Sequence, residues 1–223
     1  MKNMKKIIIF IFINIIFSNI VYAEDSALNF EDIYNKMKER YSSIYPKKFE
    51  AYINGKIVEK QIATIPQKSY TSSKENIKLK FTFQQGAKPT LVLENVDNFY
   101  RNMFSVFEGA LETTGFYAIV GNATTYSSFS QKFNLETIDE NKNEYKITLR
   151  AKGEDKNYSV NYTVNKETLL VERAEYYNKK SRIYDVNIYY TEIGNYILPE
   201  RIKYKSSDGK VNSEIEFTDI KTF

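Results

Sequence analysis

The chain has 223 residues, a net charge of +4 and no Cys, His or Trp, against 19 Tyr and 15 Phe. Without His there is no imidazole base, Ser-His or Cys-His pair; without Cys there is no thiolate zinc site, disulfide or lipid attachment at an N-terminal cysteine. Carboxylates, Lys, Arg, Ser and Tyr remain for chemistry, and a 42% hydrophobic, 27% charged composition suits one globular domain.

Lys2, Lys5 and Lys6 open the chain with no acidic residue, residues 7–20 are almost wholly apolar, and Val21-Tyr22-Ala23 precedes Glu24. This pattern predicts a secretory signal peptide over residues 1–23, cut after Ala23. A membrane anchor needs about 20 apolar residues; this run is shorter and is interrupted by Asn14, Ser18 and Asn19. The leader holds three of the 32 basic side chains and no acid, so the mature chain 24–223 carries 29 basic against 28 acidic groups, a net +1. That balance gives no electrostatic reason to expect nucleic acid.

Phe30, Ile33, Tyr34, Met37, Tyr41 and Ile44 recur at helical spacing and fill an arc of about 120°, the width of a helix lying on one apolar surface. Asn29 caps its start, Asp32 sits in the favourable first turn and Pro46 ends it. From Phe49 the period becomes two. Asn54-Gly55 between FEAYI and KIVEK predicts a hairpin. Ile77, Leu79, Phe81 and Phe83 alternate with polar neighbours, residues 85–89 turn, and Leu91 to Leu93 begins a return strand.

Asp97 then caps a second helix, expected to reach about Glu112. Its apolar members, from Phe99 and Tyr100 through Met103, Phe104, Val106, Phe107, Ala110 and Leu111, span about 160°, more than one flat contact requires. Residues 113–128, with Gly115 and Gly121, read as a flexible or partly stranded connection. Strands are expected over 129–138, 145–152, 158–164, 169–177, 184–190 and 197–205, with Pro199 near the start of the last. Asp208-Gly209 makes a hairpin into a final strand carrying Val211, Ser213, Ile215 and Phe217. The fold class is therefore mainly β with two or more helices, built on an antiparallel sheet in one domain.

Few motifs carry chemistry. Asp139, Asn141 and Asn143 imitate a calcium loop, but its sixth and twelfth positions hold Glu144 and Arg150 instead of Gly and Glu, so a hairpin turn is the reading. Glu108 with Glu112, and Glu214 with Glu216, lie on polar faces and read as solvated pairs, not an acid–base couple. There is no G-x-S-x-G, phosphate loop or catalytic tetrad. No enzyme, cofactor or metal is expected. The aromatic and aliphatic inner face has more lining than short helices can cover, and such a chamber takes hydrophobic ligands. Phe81, Phe83, Leu91 and Leu93 on the sheet, with Met103, Phe104, Phe107 and Leu111 on the second helix, are the expected lipid-binding residues.

The order of elements resembles the LolA/LolB superfamily of bacterial envelope proteins. The closest likeness is the run YDVNIYYTEIGNYILPERIKYKSSDGKVNSEIEFTDI, where a strand, an ILPERI step and an Asp-Gly hairpin look like the family's ending. The resemblance implies a strongly curved, unclosed half-barrel with an N-terminal helix and a mid-chain helical lid over residues 97–112. It also implies a monomeric periplasmic carrier or chaperone for the acyl chains of lipoproteins or lipids, passing between an inner-membrane donor and an outer-membrane acceptor. The chain lacks the Trp and the lid-holding Arg of well-known carriers, so no functional residue is transferred. A receptor tethered as a lipoprotein would need Cys after its leader, which favours the untethered carrier. The alternative is an exported structural or interaction module with a filled core.

Overall fold

The structure, a computed structural model, describes residues 29–105, 111 and 125–223. The expected leader, Val106, Phe107, Ala110 and most of the 113–128 connection lie outside the described residues.

Helix α1 (Phe30–Ile44) has the expected bounds, and the Asn29 side chain accepts from the Glu31 N–H. Its six apolar positions are all buried. Strand β1 (Lys48–Asn54) follows, with Phe49, Ala51 and Ile53 facing inward. The predicted hairpin at Asn54-Gly55 is not formed: residues Lys56–Ala63 make helix α2. The reason is non-local. One edge of β1 is taken by β2 (Lys78–Gln84) and the other by β10 (Asn212–Thr222), so the next segment has nowhere to pair. Gly55 turns the corner at φ +127°, so close to β10 that an added Cβ would lie 2.1 Å from the Glu214 carbonyl oxygen.

Strand β3 (Thr90–Glu94) returns beside β2. Of the second expected helix the described residues show one turn, α3 (Asn98–Arg101), after which Met103 and Ser105 bond three residues back, and Leu111, which is helical again. Phe99, expected on its apolar side, is 87% exposed. Helix α4 (Tyr126–Lys132), capped by Thr125, replaces the start of the strand expected at 129. The strands β4 (Phe133–Glu140), β5 (Glu144–Ala151), β6 (Tyr158–Asn165), β7 (Val171–Asn178), β8 (Ser181–Ile193) and β9 (Tyr196–Ser206) complete the chain with β10.

All ten strands form one antiparallel sheet in the order β3-β2-β1-β10-β9-β8-β7-β6-β5-β4. Strands β3 and β4 stand at opposite edges and do not pair, so the sheet is not closed into a barrel. Five of its nine ladders carry a register shift, and such bulges bend strands and raise their twist. Pro199, which has no N–H to give, sits opposite Tyr190 where the β8–β9 register shifts.

Helix α1 packs along the inner face. Its Tyr41 hydroxyl accepts from the Val171 N–H at 3.0 Å and lies 3.4 Å from the Tyr190 hydroxyl, which donates to the Val171 carbonyl at 2.8 Å. Since the Tyr190 proton is spent on that carbonyl, Tyr41 donates to Tyr190. Phe30 and Tyr34 meet Tyr126 and Phe129 of α4 in a cluster of tilted rings. Little space remains there: Phe30, Tyr34, Met37 and Phe129 close against β5 and β6 around a void of only about 10 Å³. No helix among the described residues is long and apolar enough to cross a membrane.

Candidate functional site

In an antiparallel sheet the ends of alternate strands meet at one rim. The last residues of β1, β7 and β9 and the first of β2, β6, β8 and β10 therefore lie together, and a cavity of about 380 Å³ is lined there. Ile53, Leu79, Val186 and Ile215 form its floor, and Ile57 and Val58 of α2 cover one side. Phe104 and Leu111 close against it from the segment after β3. Strands β3 and β6, which both reach this cavity, are seven spacings apart in the sheet. Flat, that would be about 34 Å, so the sheet curls strongly around the space.

Among the described residues the wall is almost wholly apolar and holds no charged side chain; its polar members are Ser159, Ser213 and tyrosine hydroxyls. The Tyr204 hydroxyl is buried, has no hydrogen-bond partner among the described residues, and is held above the ordinary phenol range by that burial. Tyr158 and Tyr184 mark the opening, keeping 46% and 41% of their surface exposed while their rings line the space. Beside them lie two turns, Gly153–Asp155 with Lys156, and Lys179-Lys180 between β7 and β8, joined by the Lys179 N–H donating to the Asn157 carbonyl at 2.5 Å.

Of the eight residues expected to bind lipid, Leu91, Phe104 and Leu111 line the cavity. Phe81, Phe83 and Leu93 are buried elsewhere in the core. Phe83 stacks on Phe49 with centroids 5.2 Å apart, and Phe81 meets Phe49 and Phe217. Met103 is partly buried against the core, and Phe107 lies outside the described residues. Sequence reasoning missed Ile57, Val58, Tyr158, Tyr184 and Tyr204. For α2 a signal existed: Val58, Ile62 and Ile65 repeat at helical spacing. The tyrosines were recognisable only as alternating strand residues, because strand order alone brings them to one rim.

On the outer face of β7 and β8, Arg173 holds both Asp185 oxygens, at 2.9 and 2.7 Å, and Glu175 at 3.0 Å, while Arg182 reaches Glu175 at 2.9 Å. The Arg173 guanidinium keeps the Asp185 carboxyl below its usual range. Glu50 is likewise lowered by Lys48 and Lys80, each 2.8 Å away. These charges stiffen the outside of the sheet and do not reach the cavity. Among the described residues no three acidic side chains group as metal ligands would.

The observed plan, a curled open sheet with an N-terminal helix on its inner face, is the one the LolA/LolB resemblance implies. Among solved structures the chain is similar to a DUF1329 family protein from Desulfovibrio piger, at 12% identity and a TM-score of 0.46, over 86% of this chain and 91% of that one. It is also similar to a candidate outer membrane lipoprotein-sorting protein domain from Vibrio parahaemolyticus, at 9% identity and a TM-score of 0.43, with the same coverage. No protein-family model matches the chain, and no curated protein matches it significantly.

Proposed function

We propose that this protein is an exported carrier that shelters the acyl chains of lipoproteins or lipids in its half-barrel and moves them between envelope membranes. The observation that carries this reading is the apolar cavity of about 380 Å³ on the inner face of an open sheet. Hydrocarbon leaving water for such a wall gains about 0.8 kcal/mol per CH₂. A module with a filled core would have no such volume, so the cavity favours the carrier. Among the described residues the wall offers apolar contacts and a few hydroxyls, which suits the binding of hydrocarbon. The leader over residues 1–23 would deliver residues 24–223, folded as one domain, to the periplasm. A membrane donor and acceptor there would load and unload it.

Extraction of the purified protein with organic solvent, followed by mass spectrometry, tests this directly. Acyl lipid should be recovered, and a dye that fluoresces in apolar surroundings should bind saturably to the stripped protein. Phe104→Asp should abolish dye binding while the β-type circular dichroism stays unchanged. Neither lipid nor dye binding in the unmodified protein would overturn the proposal.

A further inference from the structure

An apolar cavity of about 150 Å³ holds one benzene, roughly 25 Å³ for each carbon. By that measure the 380 Å³ space takes about fifteen carbons. This is one acyl chain of ordinary length, and too little for the two chains of a phospholipid or the three of a mature lipoprotein. With so little polar wall, a charged head group drawn inside would lose its hydration without replacement. It must stay at the opening. There Tyr158 and Tyr184 present rings that are apolar below and wet above. The adjoining stretches 152–156 and 179–182 hold five cationic side chains, Lys152, Lys156, Lys179, Lys180 and Arg182, against two anionic ones, Glu154 and Asp155. Lys152 bonds the Ser130 carbonyl and Arg182 is engaged by Glu175, whereas Lys156, Lys179 and Lys180 are exposed.

We infer that the cavity takes the single hydrocarbon chain of an anionic amphiphile, its head held outside by Tyr158, Tyr184 and the lysines of the two turns. This rests on the carrier reading and narrows it to a monoacyl ligand, one for each protein molecule. A free fatty acid and a monoacyl phospholipid share that chemistry.

The test uses the full protein stripped of lipid, titrated with straight-chain carboxylates bracketing about fifteen carbons and with lysophosphatidic acid, a monoacyl phosphate lipid. Uncharged alcohols of matching length, a diacyl phospholipid and a triacyl lipopeptide complete the set. Native mass spectrometry should give one chain per protein. Affinity should rise about fourfold per added methylene and level off near fifteen carbons. The carboxylates should bind more tightly than the alcohols, and the double variant Lys179→Glu, Lys180→Glu should erase that preference while alcohol binding stays unchanged. Whichever anion, carboxylate or phosphate, is held more tightly identifies the source. Tighter binding of the diacyl or triacyl probe, or several chains per protein, overturns the monoacyl inference and leaves the carrier intact. Equal binding of acid and alcohol, or no effect of the double variant, overturns the head-group assignment. Failure of every probe overturns the carrier reading as well.

Discussion

Two buried tyrosine hydroxyls show how one can matter and another not. Tyr41 satisfies the Val171 N–H and passes its own proton to Tyr190. Tyr41→Phe leaves that N–H buried and unmet, which should cost about 1–3 kcal/mol, read as a lower urea midpoint at constant slope. The Tyr204 hydroxyl has no partner among the described residues, so Tyr204→Phe removes nothing that is paired and should leave the midpoint unchanged or slightly raised. If the two variants shift the midpoint equally, the Tyr41–Tyr190–Val171 ring contributes nothing to stability.

Between β1 and α2 everything depends on Gly55. Gly55→Ala combines an unfavourable φ with a contact of 2.1 Å to backbone, and should cost about 3 kcal/mol or more. Gly209 also has positive φ but faces open space, so Gly209→Ala should cost only about 1 kcal/mol of strain. Thermal melts of the pair separate crowding from conformation. The same corner marks how far sequence reasoning reached. Helix α1 was legible because its burial repeats within one segment, and β2, β6 and β10 because their faces alternate. Asn54-Gly55 misled because the local turn signal says nothing about whether an edge is free. Helix α4 was missed because Thr125 and the serines after it gave a short capped turn without a long apolar stripe. Three of eight expected site residues line the cavity; the rest of its wall comes from α2 and from strand ends, and only the strand order brings those ends together.

At the scale of the whole molecule, pH acts from both sides. Asp185 and Glu50 are more acidic in the folded chain than usual, so their contribution is complete above about pH 5 and is lost progressively as pH falls below it. A modest loss of melting temperature in acid should shrink in Asp185→Asn. Tyr41, Tyr45, Tyr162, Tyr190 and Tyr204 are held above the ordinary phenol range, chiefly by burial. The unfolded chain therefore gives up protons first, and stability should decline as pH rises past about 10. Phenolate absorbance from these rings should appear together with loss of near-ultraviolet circular dichroism, not before it.

Leaving the sheet open also leaves two borders where a second molecule could zip on and begin a fibril. Strand β4 is the longer border, and its ladder with β5 is broken between Leu135 and Thr137. Glu136, Asp139 and Glu140 lie along it, Glu136 tethered by Arg150 and Glu140 by Lys166. A kinked border set with charged side chains gives a second copy no flat, apolar edge to pair with.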